Sequence, residues 1–331
     1  MKIASINLLI SLNLMGSFMI LSSPSWFSVW VGIELSSMTA PPLMISLNSS
    51  LVSKINSWKY YMVQCYSSAI FFLCMLSLSS SSTLSSYSNI IWMIIIFSML
   101  FKMGILPFHG WFFHIALSLP WVLFLVLSTI QKIGPLLVIS ECSKAMSYLF
   151  QPDLLISSII ALISISSLNI NSIRYFMITS SIINSAWMLA STQVGKFPFF
   201  SFMVIYFIHL LVLFSFLSKE FNNPLESSFV LSKSPFFSEF AKTLIILSMI
   251  GMPPMVGFFM KMSIIEQLIP SHLATATILT LSSSIIMLMY MKMIISAISN
   301  MRTESVKQNK SIFHLSLALV FFTLSSTYIT I

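Results

Sequence analysis

Four ionisable side chains stand inside long apolar stretches, where none is easily assigned to a loop: Glu34, Lys102, Lys132 and Lys261. A charge at the bilayer midplane costs about 3 kcal/mol on insertion scales, so such groups are kept for pairing, for hydration or for moving charge. Amines and a carboxylate are proton carriers. At an effective dielectric of about 20, opposite charges about 4 Å apart gain roughly 4 kcal/mol, and doubling the separation halves that gain. Moving Glu34 relative to Lys102 is therefore expected to load or unload a proton. The plainer reading is an ion pair that only fastens helices, or a lysine that snorkels to the interface. Snorkelling suits Lys261 and does not suit Lys132, which lies deep in its stretch.

Other titratable groups carry less. His209 lies well inside an apolar stretch, and imidazole titrates near neutral pH, so a proton relay and a hydrogen-bonded core histidine stand as equal readings. Glu266 follows Lys261 by five residues and reads as a helix-end charge near the membrane surface, with a proton-exit role open. His109 and His114 do not have the i, i+4 spacing of a helical metal site. Cys65, Cys74 and Cys142 have neither a CxxC spacing nor an even count and read as small core residues. No bound metal, cofactor or redox centre is expected. Glu141 and Asp153 flank a loop and read as solvated.

A pattern recurs around two of the lysines. Residues 104–112 read GILPFHGWF and residues 251–259 read GMPPMVGFF, sharing Gly-x-x-Pro-x-x-Gly-aromatic-aromatic. Proline removes an amide donor and glycine loosens the helical ladder, so each segment is expected to be a discontinuous helix at membrane depth. Broken backbone is tolerated there only where protein or water lines it, and paired Gly/Pro-interrupted spans point to inverted repeats and a transport path. Lys102 lies two residues before its pattern and Lys261 two after its own.

The elements that must position these groups follow from composition. With 57% hydrophobic and 7% charged residues, against roughly 25% charged in a soluble domain, the chain needs the bilayer as its solvent. The apolar runs are long and do not alternate, which predicts an all-α polytopic membrane protein. Windows of about 20 residues place eleven spans near 3–22, 26–47, 58–78, 89–112, 117–140, 148–168, 173–192, 198–218, 242–268, 273–297 and 311–330. The reading is a single transmembrane domain over 1–331: a first half, 26–140, with a broken helix near 101–112; a second half, 148–297, with a broken helix near 247–261; and a terminal helix over 311–331. The serine-rich stretch at 77–88 is a short loop between spans.

Eleven spans put the termini on opposite sides. Lys2, Lys54, Lys59, Arg174, Lys219, Lys233, Lys242, Lys292, Arg302, Lys307 and Lys310 then fall on the N-terminal side, and Lys144 and Lys196 on the other. The positive-inside rule places the N-terminus in the negative compartment. The net charge of +8 is scattered, without the clustered stripe that nucleic acid requires. The first apolar stretch ends at Pro24 without a small-x-small cleavage site, and Lys2 is the one charge before Glu34, so a retained first helix is expected and not a signal or transit peptide.

The strings WVGIEL at 30–35, FKMGILPFHGW at 101–111, QKIGPL at 131–136 and GMPPMVGFFMK at 251–261 resemble the antiporter-like subunit family of respiratory complex I, in particular the subunit 2 family of mitochondrial NADH dehydrogenase. The resemblance covers essentially the whole chain. It implies a proton-translocating subunit of the membrane arm, with Glu34 paired to the lysine of the first broken helix, Lys102, then the connecting Lys132, then Lys261 of the second broken helix. It implies the inner mitochondrial membrane with the N-terminus on the matrix side, and neighbouring antiporter-like subunits and lipids such as cardiolipin as partners. NADH, FMN, iron–sulfur clusters and ubiquinone are then expected elsewhere in the complex and not on this chain. Asn184 stands where the family usually has histidine. Phe112, Phe113 and His114 follow PFHGW where the family usually has valine, proline and glutamate, and Tyr175 follows Arg174 where a second basic residue is common. A stand-alone cation/proton antiporter and a passive scaffold are the competing readings.

Overall fold

In hydrocarbon every backbone amide must find its partner within the chain, and all regular structure among the described residues is helical. The computed structural model describes residues 2–47, 50–80, 88–105, 107–145, 173–220, 236–252, 255–270 and 272–301. The expected spans at 148–168 and 311–330 lie outside them, as do Asp153, Lys233, Arg302, Lys307 and Lys310. The chain divides into two compact units, Met1–Ile156 and Ser157–Ile331.

The first unit holds α1 (Lys2–Ser22), α2 (Trp26–Leu47), α3 (Leu51–Ser80), α4 (Ser88–Met103), α5 (Gly110–Ser118), α6 (Trp121–Ser128) and α7 (Ile130–Ala145). Helix α2 packs on α1 and α3, and α7 packs on α1, α2, α4 and α6. In the second unit are α8 (Ile173–Val194), α9 (Lys196–Glu220), α10 (Phe236–Ile250), α11 (Val256–Leu268) and α12 (Leu273–Met301). Helix α8 is buried at every position from Ile173 to Thr192 except Tyr175, with α9, α11 and α12 packed on it. Ala4–Ser22, Leu51–Ser79, Trp121–Ala145 and Lys196–Leu217 are long and apolar enough to cross a bilayer. Large apolar side chains such as Phe18, Leu73 and Phe197 are exposed, as hydrocarbon solvent permits.

Serine and threonine satisfy themselves locally, which is why so many are accommodated. Thr179, Ser180, Ser181, Ser185, Ser191 and Thr192 on α8 each donate to the carbonyl three residues back, so these hydroxyls need no partner on another helix.

The structure departs from three of these expectations. The expected gap between spans at 113–116 is helical, and the chain turns instead at Leu119–Pro120, because proline is well placed just before a helix start. The expected span at 117–140 is broken again at Thr129, with φ −116° and ψ −80°. There the Leu125 carbonyl accepts from the Thr129 amide at 3.0 Å, the Thr129 hydroxyl at 2.7 Å and the Ser128 hydroxyl at 3.1 Å, and competition of this kind bends helices. Arg174, counted above among the basic residues on the N-terminal side, is buried at the start of α8 with 1% exposure.

Candidate functional site

The two Gly/Pro patterns build the same backbone device. Helix α4 ends in a Schellman cap: Ile105 N–H donates to the Leu100 carbonyl at 3.1 Å and Gly104 N–H to that of Phe101 at 3.2 Å, with Gly104 at φ +64°. Helix α10 ends identically, Met252 to Leu247 at 3.3 Å and Gly251 to Ser248 at 3.2 Å, with Gly251 at φ +82°. A left-handed residue at this position favours glycine. Each cap continues into a turn, Phe108 N–H to the Ile105 carbonyl at 2.8 Å and Met255 N–H to that of Met252 at 2.7 Å, and a new helix follows.

Close packing holds the half-helices together. A Cβ on Gly104 would lie 2.5 Å from Phe112 Cβ, and one on Gly257 would lie 1.9 Å from the Ser248 carbonyl oxygen. Side chains add to the cap at the end of α4: Trp111 Nε1 also donates to the Phe101 carbonyl, at 3.2 Å, and Gln64 Nε2 on α3 donates to that of Lys102 at 3.1 Å.

Lys102 sits in the last turn of α4, where a helix C-terminus favours a cation. Its Nζ is 3.9 Å from Glu34 Oε1, with side chains 2% and 13% exposed. That distance is an ion pair without a hydrogen bond, and Nζ makes no hydrogen bond to the described residues. The pair is therefore slack. At an effective dielectric of about 20, closing it to about 2.8 Å would deepen the attraction from about 4 to about 6 kcal/mol.

Lys132 is 1% exposed, with Nζ 5.6 Å from the centre of the Phe112 ring. Phe112 thus touches the Gly104 cap on one side and carries the Lys132 ammonium on the other. Gln131, next to Lys132, donates to the Ser36 carbonyl of α2 at 2.9 Å, a carbonyl that also accepts from Asn13 at 3.1 Å and Thr39 at 2.8 Å. Gly134 admits Ile33 within 2.9 Å of a would-be Cβ, so α7 is fastened to α2 beside Glu34.

In the second unit Lys261 is buried with 9% exposure, correcting the snorkelling reading. Its stem lies 3.2 Å from a would-be Cβ on Gly251 and its Nζ is 5.4 Å from the centre of the Trp187 ring. With Asn184, Tyr206, His209, Ser248 and Met249 it lines a cavity of about 20 Å³. Glu266 is exposed in the last turn of α11 and does not reach this cavity. His109, buried at Nδ1 without a hydrogen-bond partner among the described residues, stacks edge-on against Phe113, and His114 is exposed. Glu141 and Lys144 form an exposed pair at 2.6 Å.

The sequence reading gave no site role to Gln64, Gln131, Trp187 or Phe112. The amides were open to notice, since carboxamides in an apolar span need partners; the rings carry no such mark.

Comparison with known proteins agrees with this fold. The transmembrane family described as NADH:quinone oxidoreductase/Mrp antiporter matches residues 23–287. The NADH-ubiquinone oxidoreductase chain 2 of Anopheles gambiae is 31% identical over 81% of this chain and 78% of its own. That of Locusta migratoria is 29% identical over 92% and 90%. A chain of the respiratory complex I of Thermus thermophilus superposes with a TM-score of 0.82 at 15% identity, over 97% of this chain and 78% of that one. A chain of the Mrp complex of Dietzia sp. superposes with a TM-score of 0.77 at 16% identity, over 92% and 61%. The chain belongs to the NADH:quinone oxidoreductase/Mrp antiporter transmembrane family, among the chain 2 subunits of NADH-ubiquinone oxidoreductase.

Proposed function

We propose that this chain is a proton-translocating membrane-arm subunit of NADH:ubiquinone oxidoreductase, coupling quinone reduction elsewhere in the complex to proton movement. The observation that carries the reading is the slack buried pair of Lys102 and Glu34 at the capped break of a helix. A helix end, an ammonium and a carboxylate at that spacing form a device whose charge state follows small movements. Lys132 over Phe112 and Lys261 over Trp187 extend the set of buried amines. The path comprises Glu34, Lys102, Lys132 and Lys261, with His209 as a possible relay and Glu266 at an exit.

The chain is a non-redox core subunit. It binds no NADH, flavin, iron–sulfur cluster or quinone, and its neighbours are other antiporter-like subunits and lipids such as cardiolipin. It lies in the inner mitochondrial membrane with its N-terminus on the matrix side. Its two halves, 26–140 and 148–297, act as inverted repeats with one broken helix each.

The test is Lys102→Ala in the assembled complex, reconstituted in sealed liposomes, with protons moved per electron as the readout. A fall in that ratio at retained quinone reduction is expected. An unchanged ratio refutes proton translocation through this site and leaves a scaffold. The likeness to a chain of the Mrp complex favours a stand-alone antiporter as the second reading, and cation/proton exchange by the purified chain in vesicles would establish it.

A further inference from the structure

The second unit encloses a cavity of about 20 Å³, room for one water molecule, which requires two to four polar partners. Its wall offers Asn184 from α8, Tyr206 and His209 from α9, Ser248 from α10 and Lys261 from α11. Tyr206 is 5% exposed and its hydroxyl is buried without a hydrogen-bond partner among the described residues, a condition that is costly unless something occupies the cavity. His209 is 8% exposed and engages the Ile205 carbonyl one turn back, which leaves a second ring nitrogen for another partner. Ser248 spends its proton on the Ile245 carbonyl at 2.7 Å, so its oxygen faces a further partner only as an acceptor. Donors and acceptors are thus both present around a volume of one water.

We propose that one water, accepting from the Tyr206 hydroxyl and donating to the Ser248 oxygen, joins Lys261 to His209, making His209 the proton-exchange partner of Lys261. This rests on the proton-path reading above. In the transfer the Lys261 ammonium gives a proton to the water, which passes one of its own to the free imidazole nitrogen. The ammonium becomes an amine, the imidazole becomes imidazolium and the water is regenerated, so neither oxidant nor reductant is needed. Asn184, also on the cavity wall, is a neutral amide and does not take up the proton. Proton carriage across this cavity therefore falls to α9 and not to α8.

The experiment measures protons per electron and quinone reduction in the assembled complex in liposomes, for Lys261→Ala, His209→Gln and the double variant Asn184→His/His209→Gln. Glutamine keeps hydrogen bonding and removes titration. Histidine at 184 returns a titratable group to the same cavity. His209→Gln is expected to lower pumping to the level of Lys261→Ala, and the double variant to recover at least half of the wild-type ratio. Wild-type pumping by His209→Gln, or failure of the double variant to recover it, overturns the proposal; an impaired Lys261→Ala alongside leaves the proposed function standing. Wild-type pumping by Lys261→Ala removes both. If His209→Gln prevents assembly, a map of the wild-type complex that resolves waters decides. A peak bonded to both His209 and Lys261 supports the relay, and a dry cavity overturns it without touching the proposed function.

Discussion

Removing either member of the Glu34–Lys102 pair should damage the protein more than removing both. At 3.9 Å and an effective dielectric of about 20, the attraction is about 4 kcal/mol. Stripping one partner from a buried pair costs roughly 3–5 kcal/mol, because the remaining charge is left uncompensated, whereas replacing both by apolar groups of similar volume is often neutral. Lys102 Nζ has no hydrogen bond among the described residues to soften that loss. Glu34→Leu and Lys102→Met should each shorten the thermal half-life of the assembled complex by about a hundredfold, the rate equivalent of about 3 kcal/mol. The double variant should return to within about threefold of the wild type while still failing to pump. The assay is residual quinone reductase activity after timed heating, with proton release measured on the unheated samples. If the single effects and the double effect are additive within about 0.5 kcal/mol, the two side chains do not form a coupled pair and the electrostatic account of this site fails.

The two glycines that begin the second half-helices should respond oppositely. Gly257→Ala places a methyl 1.9 Å from backbone oxygen and should abolish assembly on a native gel. Gly110→Ala meets nothing within 4 Å and should raise thermal stability by up to about 1 kcal/mol through helix propensity; equal effects would refute the packing account. Gly104→Ala must accept a left-handed backbone, costing about 1–2 kcal/mol, and must also push back Phe112, so it should lower stability by more than that, and a loss below 1 kcal/mol would count against the cap. Phe112→Leu keeps an apolar contact but removes the ring under Lys132, a loss of about 2 kcal/mol when desolvated. It should slow proton transfer without preventing assembly, and wild-type pumping rates would show that the ring is packing alone.

Membrane class and the two broken helices were legible because they depend on strong local rules: long apolar runs, and glycine with proline at a fixed interval. The burial of Lys102 and Lys132 followed from their depth in those runs. The direction of Lys261 did not, since a lysine near a helix start can turn either way and the choice is made by Gly251 and Trp187 packing against its stem and head. The break at Thr129 was hidden because threonine is common within apolar helices, and only its hydroxyl competing for the Leu125 carbonyl shows that the ladder opens there. Gln131 and Asn13 converging on Ser36 are contacts between helices distant in sequence, which no local pattern encodes.

The identical caps give the opposite offsets of the two lysines a common meaning. Lys102 belongs to the last turn of the half-helix that Gly104 closes, whereas Lys261 reaches back from the next half-helix to lie against Gly251, the residue that closes α10. In both units the lysine side chain lies against the end of the first half-helix, whose negative pole favours a cation. Met249, buried in the last turn of α10 and facing the same cavity as Lys261, stands relative to its cap as Lys102 does to Gly104. That placement survives a change of sender: a lysine at 249 in place of the one at 261 would deliver its charge to the same pole.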